Sequence, residues 1–500
     1  MLKRNCVLLL SGLTLAALFH SSKNKAKVST KRCTQNDDDD HLQVLLLPQW
    51  SMTSVSPGLI ARKHFFNIDP DIAFLNGSAF GSIPKMIVAV RERISQQVER
   101  NPYQWHRDVM PKLMSYVSSC VCNYLGIDHG QLLLAPNTSA GIYSILRSLN
   151  PLRSGDVLLI TSLTYHSIRD AAKHMCSLVP GCECVTVDIP FPVHNEEEIV
   201  EAFQNTLKAL RGSRRVRLAV VEHISSKPAI ALPLVRILTL FKQAAVPVLV
   251  DGAHAVGQVQ FKGEAPEKSG EEQRICLSNL PCAAYVGNFY KHFSCPRAVA
   301  FLYVNPAHFV ESAPFDPAHL MPTDVAVEYD TSKVNHTKHA RPAYLVDSLV
   351  RGIYDESTRD FTQYLVIPAA LAFRRNILNS VELDSQRYCR DLVEWTVTYL
   401  CSQWHTSRLV CEQCTPNMLT AQLPSNIVSV AERRLRTASN RHQGIHNLIV
   451  DWLWMQHGVS VAMFMWEGRL LCRITVEIYT HRAEIERLAA AVTSLSNSLE

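Results

Sequence analysis

Apolar and polar positions along the chain follow two alternating periods. Short apolar runs at residues 131–135, 157–161, 184–187, 216–221, 246–250, 283–286 and 298–304 read as strands. Between the first five lie segments whose apolar residues recur at helical spacing. One carries Ile142, Ile145, Leu146 and Leu149, and another Ile199, Phe203 and Leu207. A third, over residues 232–245, puts Leu234, Leu238 and Phe241 along one face. Asn195 followed by Glu198 predicts a capping box at the start of the second. Seven apolar runs with long, mostly helical connections predict a largely parallel seven-stranded sheet covered on both faces, an α/β fold. In such sheets ligands sit outside the carboxyl ends of the strands. Asn137 to Ala140, Thr164 to His166, Ser225 with Ser226, and Asp251 to His254 all follow predicted strand ends.

Before this array, residues 74–84 hold two glycines, a proline and small polar residues, which predicts a shaped loop. A helix over residues 85–99 is stopped by Asn101 and Pro102, and a second, over 111–125, ends at Gly126. Residues 260–283 are polar and charged, as in an exposed insertion. From about residue 330 the pattern changes to helices at 361–378 and 388–402, strand-like runs at 418–423 and 470–476, and a last helix from 482. The expected organisation is a targeting segment and disordered tail over 1–60, a large α/β domain over 61–329 and a smaller α+β domain over 330–500.

Composition narrows the function classes. A formal net charge of +5 over 500 residues gives no case for nucleic acid. Fifteen cysteines are scattered, and only Cys411 and Cys414 have C-x-x-C spacing, with no second pair to complete a zinc set, so no metal is expected. Lys3 and Arg4 precede an apolar run over residues 6–19, five more basic residues follow, and no acid appears before Asp37. That run is short for a membrane span and fits a secretory signal core or an organelle-targeting segment.

Four pieces carry candidate chemistry. Lys291 follows a strand end in apolar surroundings, where desolvation loosens an amine proton and a neutral amine can form a Schiff base. Taken singly, the commoner reading is a surface lysine snorkelling from an apolar loop. Thr138 and Ser139 open a helix after Asn137, which suits a phosphate or an ordinary N-cap. Asp251, Gly252, Ala253 and His254 leave a strand, where a carboxylate can hold a pyridinium nitrogen protonated or merely end the strand. Arg473, near the C-terminus, offers a guanidinium fork for a carboxylate, or a strand-edge surface arginine.

In order and spacing these pieces resemble the class V aminotransferase family of pyridoxal-phosphate enzymes, in particular its isopenicillin N epimerase-like and C–S lyase branch. Motifs of that branch are matched by residues 74–81, by Asn137 to Gly141 and by Asp251 to His254. Further matches are Gly287, Asn288 and Lys291, then Ser357 to Asp360, and Arg473 to Tyr479. The resemblance implies a fold-type-I transferase architecture, pyridoxal 5'-phosphate as cofactor and a homodimer with shared active sites. It further implies that Lys291 anchors the cofactor and moves the substrate α-proton, Asp251 pairs with the ring nitrogen and His254 lies near the ring hydroxyl. Thr138 and Ser139 would hold the phosphate, Tyr165 would stack on the ring with His166 as fallback, and Thr358 would reach a phosphate across the dimer. Ser226 and Asn288 complete the expected cofactor set, and Arg473 would hold the substrate carboxylate. The chain departs from the family at Tyr290, where a histidine is usual, at Gly77 to Ala79, and at Ala298.

The resemblance implies an amino-acid substrate and, from Val187 to Pro192 and Ser294 to Arg297, favours β-elimination with C–S cleavage of cysteine or a cysteine derivative. Amino transfer, epimerisation and a non-catalytic scaffold are the alternatives. Persulfide chemistry is disfavoured because Cys472 sits inside the Arg473 strand. Asn76 and Asn137 begin glycosylation sequons within the expected site, so a cytosolic or mitochondrial location is expected over secretion.

Overall fold

A computed structural model describes residues 45, 55–149, 151–212, 214–261, 274–308, 359–375, 382–437 and 439–496. The basic, apolar N-terminal stretch, the centre of the polar insertion, the expected boundary near residue 330 and Thr358 all lie outside the described residues. The strands, in chain order, are β1 (Ala73–Phe74), β2 (Leu132–Ala135), β3 (Asp156–Thr161), β4 (Glu183–Val187), β5 (Arg215–Glu222), β6 (Val248–Gly252), β7 (Ala284–Asn288), β8 (Ala300–Val304), β9 (Met418–Gln422), β10 (Val459–Ser460), β11 (Ala462–Trp466) and β12 (Arg469–Thr475).

The seven expected apolar runs form one seven-stranded sheet in the order β2-β8-β7-β6-β5-β3-β4. Strands β3 to β7 pair in parallel, while β8 is antiparallel to both β7 and β2. Two antiparallel pairings restore direction, so β2 ends at the same sheet edge as the parallel strands and delivers Asn137 there. The strands are buried on both faces, as continuous runs such as Leu158, Leu159 and Ile160 require. The helix Thr138–Ser148 packs Ile142, Ile145 and Leu146 against Leu158, Val220, Leu249, Val286 and Leu302. Gly141 makes that approach possible, because a Cβ there would stand 2.9 Å from Val286 Cγ1. Truncating a side chain such as Ile145 in this layer costs about 2–5 kcal/mol.

The helices Lys85–Val98 and Met110–Leu125 form as expected, the second closed by Gly126 at φ +67°. Two details differ. The stretch between them is occupied by the turn Pro102–Gln104 and a π-helical segment Trp105–Val109. The loop over residues 74–84 contains one helical turn, Gly77–Phe80. At the helix Glu196–Leu210, Asn195 accepts from the Glu198 amide at 3.1 Å, but Glu198 returns to the amide of His194 rather than that of Asn195.

A smaller C-terminal α+β layer is built on the sheet β11-β12-β9, with the helices Glu382–Trp404, Ile427–Leu435, Ile445–His457 and Arg482–Ser496. Its core gathers Leu400, Leu419, Ile427, Leu453, Cys472 and Leu488. The beginning of the fold is fastened to this layer. Strand β1 pairs with β10, and the buried Arg62 is ion-paired with Glu484 while donating to the carbonyls of Asp69 and Ile72 at 2.7 Å. Among the described residues no helix is long and apolar enough to cross a membrane.

Candidate active site

The sheet edge where β2, β3, β5, β6 and β7 end opens into a cavity of about 880 Å³, closed on one side by β12. Strand β6 terminates in Asp251 and Gly252, and the turn after it supplies His254. Strand β7 ends at Asn288, and Lys291 lies in the bend that follows. The helix Thr138–Ser148 points its N-terminus at the cavity. Asn137 caps it by accepting from the Ala140 amide at 2.9 Å, and the remaining amides of the first turn, having no intrahelical partner, form an anion-binding end. Thr138, Ser139, Tyr165 and Ser226 line the cavity together with Asp251, His254, Lys291 and Arg473.

Two expected residues stand differently. Asn288 is absent from the lining. It lies behind it, donating to the Ala253 carbonyl at 2.7 Å and accepting from the Lys291 amide at 3.2 Å, so it ties the Asp251 turn to the Lys291 bend. His166 begins the helix His166–Ser177 outside the lining, its ring 4.3 Å from that of Tyr165.

Burial dominates the electrostatics. It lowers the Lys291 ammonium to about 8; Arg473 adds to the effect and Asp251 opposes it. Burial raises the Asp251 carboxyl, against the pull of the Ala253 amide and the Lys291 cation. His254 is held well below its ordinary value by burial and by the nearby cations of Lys291 and Arg473, so it is neutral. Its Nε2 is 3.3 Å from Lys291 Nζ and its Nδ1 is 3.5 Å from His292 Nε2. That His292 nitrogen also accepts from Gln258 Nε2 at 3.2 Å, and His292 Nδ1 is 2.5 Å from Glu477 Oε1. The pattern assigns the tautomers. A ring nitrogen that accepts from Gln258 carries no proton, so His292 is protonated on Nδ1, toward Glu477. His254 is then protonated on Nδ1, which leaves its Nε2 to accept from the lysine.

Arg473 is 3% exposed, and burial lowers its guanidinium to about 10. It donates to Ser226 Oγ at 2.8 Å, to the Ser226 carbonyl at 3.2 Å and to Asn76 Oδ1 at 3.0 Å, while its Nε has no hydrogen-bond partner. A buried cation held by neutral oxygens and facing a cavity has the chemistry to pair with a carboxylate.

Sequence reasoning passed over several residues that the fold brings here. Glu222, in register with Asp251, is 3% exposed and lines the same cavity. Its Oε2 accepts from Thr161, its Oε1 is buried without a partner, and burial pushes its carboxyl up to about 7. An acid closing an apolar run, as Asp251 does, was the available signal. Lys227, also passed over, lines the cavity too, as do Tyr290 and Arg297, which the sequence marks for other reasons. Among the described residues no cluster of three or more potential ligands could hold a metal ion.

The arrangement combines an anion-binding helix end, a buried acid, a loosely protonated amine and a guanidinium. It fits a phosphorylated pyridine aldehyde bound beside an amino acid. The orphaned Oε1 of Glu222 and Nε of Arg473 are the buried polar atoms that such guests would stand to satisfy.

No family model matches the chain. It is 22% identical over 451 residues to an L-cysteine desulfhydrase of Arabidopsis thaliana, covering 87% of this chain and 90% of that protein. It is 23% identical over 433 residues to the isopenicillin N epimerase of Streptomyces clavuligerus, covering 86% and 96%. Among solved structures, a cystine C–S lyase in complex with its product cysteine persulfide superposes with a TM-score of 0.60 at 15% identity, over 86% of this chain and 98% of that one. A mutant of the same lyase, with glycine covalently linked to its pyridoxal-phosphate cofactor, gives 0.59. Over most of its length the chain is similar in sequence to L-cysteine desulfhydrases and isopenicillin N epimerases, and it shares the fold of the pyridoxal-phosphate C–S lyases.

Proposed function

We propose that this protein is a pyridoxal-phosphate-dependent C–S lyase acting by β-elimination on cysteine or a cysteine-derived amino acid. The observation that carries the proposal is the Lys291 amine. It is lowered to about 8, stands 3.3 Å from a neutral His254, and shares its cavity with Asp251 and Arg473. Thr138 and Ser139 would take the phosphate, Tyr165 a face of the ring, Asp251 the ring nitrogen and His254 the ring hydroxyl. Ser226 and Asn288 serve this set by holding Arg473 and the Lys291 bend. Bound there, pyridoxal phosphate supplies an electron sink for negative charge at the substrate Cα.

The chain's own residues do the rest. Arg473 fixes the substrate carboxylate and so turns Cα toward the cavity floor. Lys291 Nζ takes the Cα proton, and the Cβ–S bond breaks with its electron pair leaving on sulfur. Hydrolysis of the remaining three-carbon unit gives pyruvate and ammonia. A persulfide-forming mechanism needs a nucleophilic cysteine at the site. Cys472 is fully buried between Met463 and Ala421, its thiol pushed up to about 12, and no cysteine of the described residues lines the cavity.

The proposal includes a homodimer, with Thr358 reaching the partner's phosphate site, and a cytosolic or mitochondrial location. The second point is supported by Asn137, whose side chain caps the phosphate-binding helix and would lose that role if glycosylated. The test is to incubate purified holoenzyme with cysteine and cysteine S-conjugates and measure pyruvate and ammonia, with Lys291→Ala as control. Racemisation or amino transfer without pyruvate overturns the reading, as does full turnover by the variant.

A further inference from the structure

The wall of the cavity that holds Arg473 carries a second cation. Lys227 follows Ser226, the residue whose hydroxyl and carbonyl bind the Arg473 guanidinium, and it lines the same cavity. Its ammonium lies 5.9 Å from the centroid of the Phe464 ring, on β11 next to the arginine strand. No hydrogen bond or ion pair to Lys227 is present among the described residues. The acids that line the cavity, Glu222 and Asp251, are at the ends of β5 and β6, and burial raises both. The phosphate-binding helix end is supplied by β2, two strands beyond β7 in the sheet. The Arg473 wall therefore presents two positive charges, and an amino acid's α-carboxylate matches one of them.

We propose that Lys227 forms a subsite for a second acidic group on the substrate, so that the preferred substrates are cysteine thioethers whose sulfur substituent ends in a carboxylate or sulfonate. This rests on the C–S lyase reading of the site. An ammonium on a flexible four-carbon stem suits a distal acid of variable reach, while the planar Arg473 fork, oriented by Ser226 and Asn76, suits the invariant α-carboxylate. The Phe464 ring leaves the ammonium incompletely hydrated, so an arriving anion displaces little water. In the reaction the Cβ–S bond breaks, the Cα proton is lost, and the sulfur leaves as the thiolate of the acidic substituent. For S-carboxymethylcysteine and one water, the products are thioglycolate, pyruvate and ammonium.

The test compares S-carboxymethylcysteine with its neutral isostere S-carbamoylmethylcysteine. Binding of each to the holoenzyme is measured from the change in cofactor absorption immediately after rapid mixing, which reports the subsite whether or not the C–S bond is later cleaved. A charge-assisted contact predicts that the acid binds about tenfold tighter or more than the amide. The ratio should fall to near one in Lys227→Met and invert in Lys227→Glu. Equal binding of acid and amide by the natural protein overturns the proposal. So does an equal loss for both ligands in Lys227→Met, which would assign Lys227 to the shared α-carboxylate. Pyruvate release is followed separately: acid preference without pyruvate sinks the lyase reading alone, and pyruvate from both at equal affinity sinks the subsite alone.

Discussion

Glu222 gives the most quantitative prediction. Its carboxyl is 3% exposed at the end of β5, with Asp251 beside it, and burial raises it from 4.5 to about 7. An acid whose folded value lies above its unfolded one is bound more tightly by its proton in the folded state. The stability it contributes is intact below pH 4.5 and is lost as pH rises toward 7. Linkage across that shift puts the loss at about 1 kcal/mol at pH 5 and about 3 kcal/mol at pH 8. Gln fills the same volume, accepts from Thr161 and never ionises. Glu222→Gln should therefore change the urea-unfolding free energy of the cofactor-free protein little at pH 5 and raise it at pH 8, with roughly 2 kcal/mol between the two differences. The assay is a pair of urea titrations, read by tryptophan fluorescence, at each pH. A difference between natural protein and variant that stays constant from pH 5 to 8 refutes the reasoning, because it would mean that Glu222 ionises as freely when folded as when unfolded.

Three further outcomes are expected. Covalent capture of pyridoxal phosphate by the cofactor-free protein, fixed with borohydride, should quicken with pH and level off above about 8, as the Lys291 amine loses its proton; a rise continuing to pH 10 would show an ordinary lysine. Arg473→Lys keeps the charge but loses the fork held by Ser226 and Asn76, and should raise KM for amino-acid substrates about 10- to 100-fold; an unchanged KM removes Arg473 from carboxylate recognition. Gly81 has φ +68°, and a Cβ there would run into the carbonyl oxygens of Tyr290 and Lys291. Gly81→Ala should cost about 1–3 kcal/mol and displace the lysine bend; a normal thermal midpoint together with normal borohydride fixation would contradict this.

Much of this was legible in the sequence because the sheet is simple. Each strand buried on both faces is a solid apolar run, and the residues after it lie at the binding edge by geometry alone. Thr138, Asp251 and Lys291 could be grouped that way before any coordinates. The C-terminal layer was harder. The helix Ile445–His457 is apolar around much of its girth, with Trp454 half exposed, so its period is blurred. Strand β11 reads Ala-Met-Phe-Met-Trp, which has no alternation to mark it. The strands β1 and β10 have two residues each and exist because they pair with each other. The Glu477, His292 and His254 chain was invisible for another reason. Its members are joined across 185 residues and then 38, and no local pattern encodes such a contact.

The fastening of the beginning of the fold to its end bears on how the protein comes to be made. The Ala73 amide bonds the Gly458 carbonyl at 2.9 Å, the Thr475 amide bonds the Leu75 carbonyl at 2.8 Å, and Ser78 Oγ meets Thr475 Oγ1 at 2.7 Å. Asn76, one of the oxygens that hold Arg473, is positioned by this clasp. On a ribosome, the strand β1 has no partner until nearly four hundred further residues have emerged. The strands that carry Lys291 and Asp251 emerge long before Arg473 does. Contacts of such sequence separation form late. Translation thus imposes one constraint: the Arg473 pocket, and with it the Glu477 contact that anchors His292, can be assembled only after the last strand has been made.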